Sequence, residues 1–359
     1  MTHFLSRALV VAIFWVGFHC GSVLAAEPTP APQPGKTLNI YWIDVEGGAA
    51  TLIVTPVGES VLIDSGNPGP RDADRIFQVA TKVAGLRKLD HLVTTHYHID
   101  HFGGAAQLSQ VLPIGTVHDN GEFAELRERP SDEYLRFPCE RRVQIQPGGG
   151  VELQSPADQT AVKLTCLCAR QRVIQPPANV RLARNPLTDE AVKKPADTSD
   201  NANSIVLLLQ FGDFRFFDGG DLTWNTEEKL VCPFNLVGEV DLYQANHHGL
   251  DVSNNPVLLK SLRPRVAVIN NGPTKGCMPL TYGTLSQLDS VQAIYQLHKN
   301  ERMGEKEGNT AGEFIANDSG AACQGNYVQC TVAADGKSYV LKIPAKQHQQ
   351  RFDCKSALP

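Results

Sequence analysis

The chain predicts an α/β architecture, two sheets packed face to face with helices outside, on three observations. Short apolar runs with the alternation and turn residues of strands come in two batches, residues 38–64 and 204–218, and each leads into strands interleaved with helical segments. Stretches rich in histidine and aspartate stand directly behind apolar runs, where open α/β layers carry their chemistry at strand C-terminal ends. With 42% hydrophobic residues over 359 positions, the chain can bury one large core.

Leu38 to Val45 reads as a first strand, Gly47-Gly48 as a turn, Ala50 to Thr55 as a second strand and Ser60 to Asp64 as a third, an antiparallel opening. After SGNPGP, Ile76, Val79, Ala80 and Val83 recur at helical spacing, which predicts a helix from Asp72 to Ala84 closed by Gly85. A strand from Asp90 to Thr95 carries the stretch THYHIDHFGG and hands over to a helix from Gly104 to Val111. From about residue 118 to 200 the pattern weakens into a polar insertion rich in Arg, Pro and Gly. Order returns with facing strands Ser204 to Phe211 and Phe214 to Asp218, turned at Gly212-Asp213. A strand from Val240 to Ala245, a helix from Pro256 to Leu262 and a strand from Val266 to Asn270 follow. A helix near Thr281 to Ser290 and a strand pair between Tyr327 and Ile343 complete a domain over residues 38–345, with 346–359 as a tail. No internal repeat is visible.

Residues 1–26 read as an export signal: Arg7, the apolar run ALVVAIFWVGF, and small residues around Ala25 and Ala26. The apolar run is too short for a membrane span, so the expected product is exported, periplasmic or extracellular. Residues 27–37 form a Pro-rich linker. Without Arg7 the formal charge moves from -5 to -6, an acidic balance that argues against stable duplex binding. Cys139, Cys166, Cys168, Cys232, Cys277, Cys323, Cys330 and Cys354 make an even count outside the signal, which in an exported chain predicts disulfides. Cys166-Leu-Cys168 does not have zinc-knuckle spacing, and there is no CxxC.

The densest chemistry is His96, His98, Asp100 and His101 within six positions. On an extended segment His96 and His98 turn to one side, because strand side chains alternate, so both can share an ion. Asp100 and His101 lie past the strand end, where the turning backbone aims them at a second ion. Imidazole and carboxylate donors suit two divalent ions, zinc first, with manganese or iron as alternatives. The Asp64-Ser65-Gly66 turn and Gly103-Gly104 let the backbone close in around them. Downstream, Asp221 in Asp218-Gly219-Gly220-Asp221 is placed to bridge two cations, and Asn246-His247-His248-Gly249 ends the apolar run VDLYQA.

HYHIDHFGG resembles the HxHxDH signature of metallo-β-lactamase-fold hydrolases, and LIDSG their upstream strand with its supporting aspartate. More narrowly, NANSIVLLLQFGDFRFFDGGD followed by ANHHG resembles the hydrolase domain of ComEC-type competence proteins, over roughly residues 38–300 outside the insertion. The resemblance implies an αββα sandwich, with His96 and His98 as ligands of a first metal and Asp100 and His101 as ligands of a second. Asp221 would bridge them, and His248 or His247 would complete the second site while the other faces substrate. Asp64 would orient a ligand histidine. Asn203 stands where many members carry a third histidine on the first metal, and Leu250 where the competence branch shows serine. The membrane-channel segments of competence proteins are missing, so the resemblance implies a free-standing exported relative.

Paired cations lower the pKa of a water between them from 15.7 to about 7. Asp100 would hold that nucleophile, and His247 or His248 would serve the leaving group. The expected activity is hydrolysis of phosphodiester-type substrates through metal-bound hydroxide. Ester, lactone or amide hydrolysis on the same metals is the alternative, as is an inactive binding protein with a degenerate site. The expected partner is a small molecule or a short nucleic acid. Lys275 and His298 are lesser candidates for anion contact. Arg127, Arg129, Arg141, Arg142, Arg170, Arg172, Arg181 and Arg184 read as a solvated face, with a substrate groove as the alternative.

Overall fold

The computed structural model describes residue 1 and residues 37–356, apart from 125, 127, 157–159, 177, 179, 180, 305, 306 and 319–322. The predicted leader past Met1, the linker as far as residue 36, and Arg127 lie outside the described residues.

Apolar residues fill nearly every position of the central strands, so both faces of each sheet are covered. Leu207 and Leu209 point into a core between the sheets, while Val206 and Leu208 point to a second core under helices. Leu52, Leu62 and Leu92 likewise meet Ala73, Ile76, Ala80 and Leu108 on the outer face of the other sheet. The result is four layers, helix, sheet, sheet, helix, the αββα sandwich expected from the segment order. Trp42 and Phe216 meet edge to face across the middle with ring centroids 5.5 Å apart.

The first sheet runs His348–Asp353, Ser338–Ile343, Val328–Val332, Leu38–Trp42, Thr51–Val54, Ser60–Ile63, Leu89–Val93, Ile114–Asp119 and Arg141–Gln144. Its pairing is antiparallel as far as Ser60–Ile63 and parallel beyond. The second sheet runs Ile315–Asn317, Ala293–His298, Val266–Ile269, Leu242–Gln244, Phe214–Asp218, Val206–Phe211, Val162–Ala169 and Gly150–Val151, with Arg172–Val173 beside Val162–Ala169. From Phe214–Asp218 to Ile315–Asn317 it is parallel. Parallel strands end on the same edge, and both parallel blocks deliver their loops to the site.

Four expectations are revised. The stretch 118–200 supplies Arg141–Gln144 to one sheet and Val162–Ala169 to the other, with Cys166 and Cys168 fully buried. The tail supplies the edge strand His348–Asp353, paired along its length with Ser338–Ile343. The helix after SGNPGP is α-helical over Pro70–Gln78 and widens to a π-turn over Val79–Val83, where the Ala84 N–H donates to the Val79 carbonyl at 2.9 Å. The predicted disulfides are not seen: among the described residues the eight cysteines are free thiols. Alternation along one strand separates Cys166 and Cys168, which enter different cores.

The strand Ala293–His298 escapes the apolar pattern because Gln296 and His298 interrupt it, yet both are buried through hydrogen bonds. Thr310 N–H donates to Gln296 Oε1 at 2.6 Å, and His298 Nε2–H donates to Asp44 Oδ1 at 2.6 Å. Burial works against a charged His298, but the Asp44 hydrogen bond prevails and pushes its pKa up to about 9 from 6.5. The stabilisation this implies is complete below about pH 6.5 and is lost as pH rises through about 9. Urea unfolding at pH 6 and pH 9.5 should therefore show the wild type losing roughly 2–3 kcal/mol more than His298→Asn across that interval; parallel losses in the two proteins would refute the assignment.

Candidate metal centre

The strand Leu89–Val93 stops short of the motif, and the chain bends at His96 instead of continuing extended. The His96 and His98 rings are neighbours, 4.7 Å apart, but their nitrogens face different partners. His96 is fully buried with Nε2 4.0 Å from Asp221 Oδ2, whereas His98 Nε2 meets Glu128 Oε2 at 2.5 Å. Between them the Tyr97 N–H donates to Asp200 Oδ2 at 2.6 Å. The short helix Ile99–Phe102 then presents Asp100 and His101. Gly104 permits this close turn, since a Cβ there would stand 2.1 Å from the Ser65 carbonyl oxygen.

Among the described residues donor atoms converge in three trios, each with its atoms within 4.8 Å of one another; Asp44, His298 and Cys323 form one away from the motif, and two meet at the motif: His96, His101 and Asp221, and Asp100, His101 and His248. His101 Nε2 belongs to both, 3.2 Å from Asp221 Oδ1, 3.7 Å from Asp100 Oδ2 and 3.3 Å from His248 Nε2. Its other nitrogen is held by Asp64, whose Oδ2 accepts from Nδ1–H at 2.6 Å. Asp64 is itself fixed by the Thr95 N–H and hydroxyl, each at 2.8 Å. The contact sets the orientation of the His101 ring. The sequence grouping of ligands is rearranged: His96 joins His101 and Asp221, while His98 belongs to neither trio.

His247 and His248 both adopt left-handed backbone, φ 54° and 56°, as does Asn254 at 62°. Each such non-glycine residue costs about 1–2 kcal/mol, so the loop needs an anchor. Glu227, 0% exposed on the helix Trp224–Lys229, supplies it. Its carboxylate accepts from Asn246 Nδ2 at 2.6 Å, Asn254 N–H at 2.8 Å and Asn255 N–H at 2.7 Å, tying both ends of the loop. The His248 Nδ1–H donates to the Asn270 carbonyl at 3.3 Å, which leaves Nε2 for the trio. The other histidine, His247, approaches Asp221 Oδ2 with Nε2 at 3.4 Å and Ser253 Oγ with Nδ1 at 3.2 Å.

Burial opposes charge throughout the centre, and pairing decides who carries it. Asp221, together with Asp64 and Asp100, holds His101 well above the ordinary imidazole range, while burial and the neighbouring His101 hold His96 well below it. Against burial, His101, His248 and His247 hold the Asp221 carboxyl well below the carboxylate range. His96 Nε2 is a buried nitrogen with no hydrogen-bond partner. An unpartnered imidazole nitrogen beside converging carboxylate and imidazole donors fits a divalent metal ion, with His96, His101, Asp221, Asp100 and His248 as the residues that would hold it.

The other candidates belong to neither trio at the motif. Asn203 donates to Asp200 Oδ1 at 2.9 Å and accepts from Gln171 at 3.2 Å, so both ends of its amide are engaged away from the trios. Lys275 pairs directly with Asp100, Nζ to Oδ2 2.5 Å, and His298 is committed to Asp44. Arg142 lies over the Tyr134 and Phe137 rings, Arg129 pairs with Glu122, and Arg184 with Asp189. Glu128, Asp200 and Glu227 have no sequence signal, being single acids in unremarkable surroundings that only the fold brings to the centre.

Residues 43–160 match the model of the metallo-beta-lactamase superfamily. A UPF0173 metal-dependent hydrolase of Cupriavidus metallidurans is 36% identical over 264 residues, 72% of this chain and 78% of that protein. The chain belongs to the metallo-β-lactamase superfamily of metal-dependent hydrolases. Recombination protein 2 of Haemophilus influenzae is 25% identical to this superfamily member over 255 residues, 70% of the chain, in line with the competence-type motifs. The chain spans only 26% of the length of that relative. Among solved structures, CmlA, a diiron beta-hydroxylase from Streptomyces venezuelae, aligns with 67% of the chain and 45% of its own, at 17% identity and a TM-score of 0.39.

In Glu227→Gln, every arrangement of the amide sets an NH₂ group against at least one of the three donors. Zinc affinity by titration calorimetry should fall about 10–100-fold with the far-UV circular dichroism unchanged. Unaltered affinity in a folded variant would show that the loop is anchored by something else.

Proposed function

We propose that this metal-dependent hydrolase is an exported enzyme with a pair of divalent ions, zinc by preference, acting on phosphodiester-type substrates. The observation that carries the reading is the place of Asp221: one oxygen lies 3.2 Å from His101 and the other 3.4 Å from His248, so a single buried carboxylate adjoins both donor trios. The competence-type motifs and the match to Recombination protein 2 support the substrate class, and residues 1–26 support export. Among the described residues no helix is long and apolar enough to cross a membrane.

Bound divalent ions would supply Lewis acidity and lower the pKa of a coordinated water. The chain's own residues do the rest. Asp64 fixes the His101 ring so that Nε2 points inward. Asp100 stands at the edge of the second trio, where its carboxylate can orient a water and take up its proton. Lys275, with Nζ 2.5 Å from Asp100 Oδ2, brings a positive charge to the edge of the second trio, where it would attract an anionic phosphoryl group. His247 faces the open side of Asp221 and is placed to donate a hydrogen bond to the departing oxygen. The acidic overall charge favours a small ester or a short strand over a duplex.

Bis(p-nitrophenyl) phosphate is the direct test. Zinc- or manganese-loaded protein should hydrolyse it, chelation should abolish turnover and metal should restore it, and Asp100→Ala should lower kcat by about 10²–10⁴. Bound metal with no turnover, alongside cleavage of carboxylic esters or lactones, would replace the phosphodiester reading with acyl hydrolysis on the same centre.

A further inference from the structure

A cavity of about 320 Å³ opens beside His247, lined by Lys194, Pro195, Asn201, Trp224 and Val252 among others. It adjoins the metal centre directly. His247 Nε2, 3.4 Å from Asp221 Oδ2, is also 3.4 Å from Asn201 Nδ2. Its two walls are the helix Trp224–Lys229 and the segment 192–201, the end of the stretch whose polar composition first reads as an insertion.

Those walls are locked together. Trp224 Nε1–H donates to the Val192 carbonyl at 2.7 Å, the Lys194 N–H donates to Asn225 Oδ1 at 3.0 Å, and Asn225 Nδ2 donates back to the Lys194 carbonyl at 2.7 Å. The Lys194 ammonium rests 3.4 Å from the centroid of the Trp224 ring and bonds to the Asp251 carbonyl. The cavity is therefore preformed, and a ligand need not meet the cost of ordering it.

Its chemistry narrows the occupant. Small-molecule sites have volumes of about 300–1,000 Å³, so this cavity takes one ring system and not a polymer. Trp224, Pro195 and Val252 offer apolar surface, and the pinned ammonium of Lys194 favours an electron-rich ring. Asn201, 8% exposed, has a side-chain oxygen with no partner. A buried acceptor left unpaired costs about 1–3 kcal/mol, and an amino group on the ring, such as the exocyclic amine of adenine, would satisfy it.

We propose that this cavity binds a planar, nucleobase-like heterocycle borne by the phosphoester substrate, with Asn201 as the polar contact and His247 at the junction with the reacting phosphate. The proposal rests on the phosphodiesterase reading, which it deepens by naming the substituent, and its test reads binding separately from turnover.

The full chain, zinc-loaded, is titrated with adenosine 5′-phosphate and with ribose 5-phosphate, which has the same phosphate and sugar without the base. Affinity is read by calorimetry. Adenosine 5′-phosphate should bind at least about tenfold tighter. Val252→Trp fills the cavity mouth from a side chain that is 52% exposed, which spares the fold. It should remove most of the difference while leaving ribose 5-phosphate unchanged. No base-dependent difference, including no binding of either compound, overturns the proposal, as does a variant that weakens both ligands alike. A base-dependent difference in a protein that does not hydrolyse bis(p-nitrophenyl) phosphate would uphold the cavity's ligand and sink only the phosphodiesterase reading.

Discussion

The Asp221 carboxylate, 2% exposed, has four imidazoles around it: His101 at 3.2 Å, His247 and His248 at 3.4 Å, and His96 at 4.0 Å. A buried ionised carboxylate is tolerated only when its charge and lone pairs are compensated, and stripping one partner from such a pair costs about 3–5 kcal/mol. The four histidines come from loops on both sheets and converge on one carboxylate. The same crowding of acids and imidazoles is what a divalent cation requires. Stability of the fold and affinity for metal thus draw on one set of contacts.

Holding those donors in place falls to residues outside the two trios at the motif. Asp64 sets the His101 ring through Nδ1, and Thr95 sets Asp64. Glu227 closes the loop that carries His247 and His248, and Tyr243 reinforces it through a hydrogen bond from its hydroxyl to Asn254 Oδ1 at 2.8 Å. Glycines do the complementary work of removing bulk. Gly220, at φ 53°, passes where a Cβ would lie 2.8 Å from Thr95, which brings Asp221 over the motif. Left-handed histidines and glycines without room for a side chain mark a backbone shaped by the site.

Much of the scaffold was legible because its signal is local. The helix Pro256–Leu262 begins at an asparagine cap with proline at its first turn and appears at the expected positions. Phe214–Asp218 is likewise where its alternation and the Gly212-Asp213 turn put it. Val162–Ala169 and Ala293–His298 were harder to see. The first lies among Arg, Pro and Gly, and the second mixes Gln296 and His298 into its apolar run. Both owe their burial to partners far away in the chain.

The spacing of His96, His98, Asp100 and His101 behind an apolar run pointed to metal chemistry, and the resemblance to metallo-β-lactamase-fold hydrolases tied Asp221 and the His247-His248 pair to it. Composition and alternation likewise determined two sheets with helices outside. Only the tertiary structure decided which nitrogen faces which oxygen. It sent His98 to Glu128, engaged Asn203 with Asp200 and Gln171, set Lys275 on Asp100, and brought Glu227 under the histidine loop. Those choices depend on contacts between residues up to 175 positions apart, as for Lys275 and Asp100. Local propensity carries no information about such pairs; burial and charge compensation in the packed chain settle them.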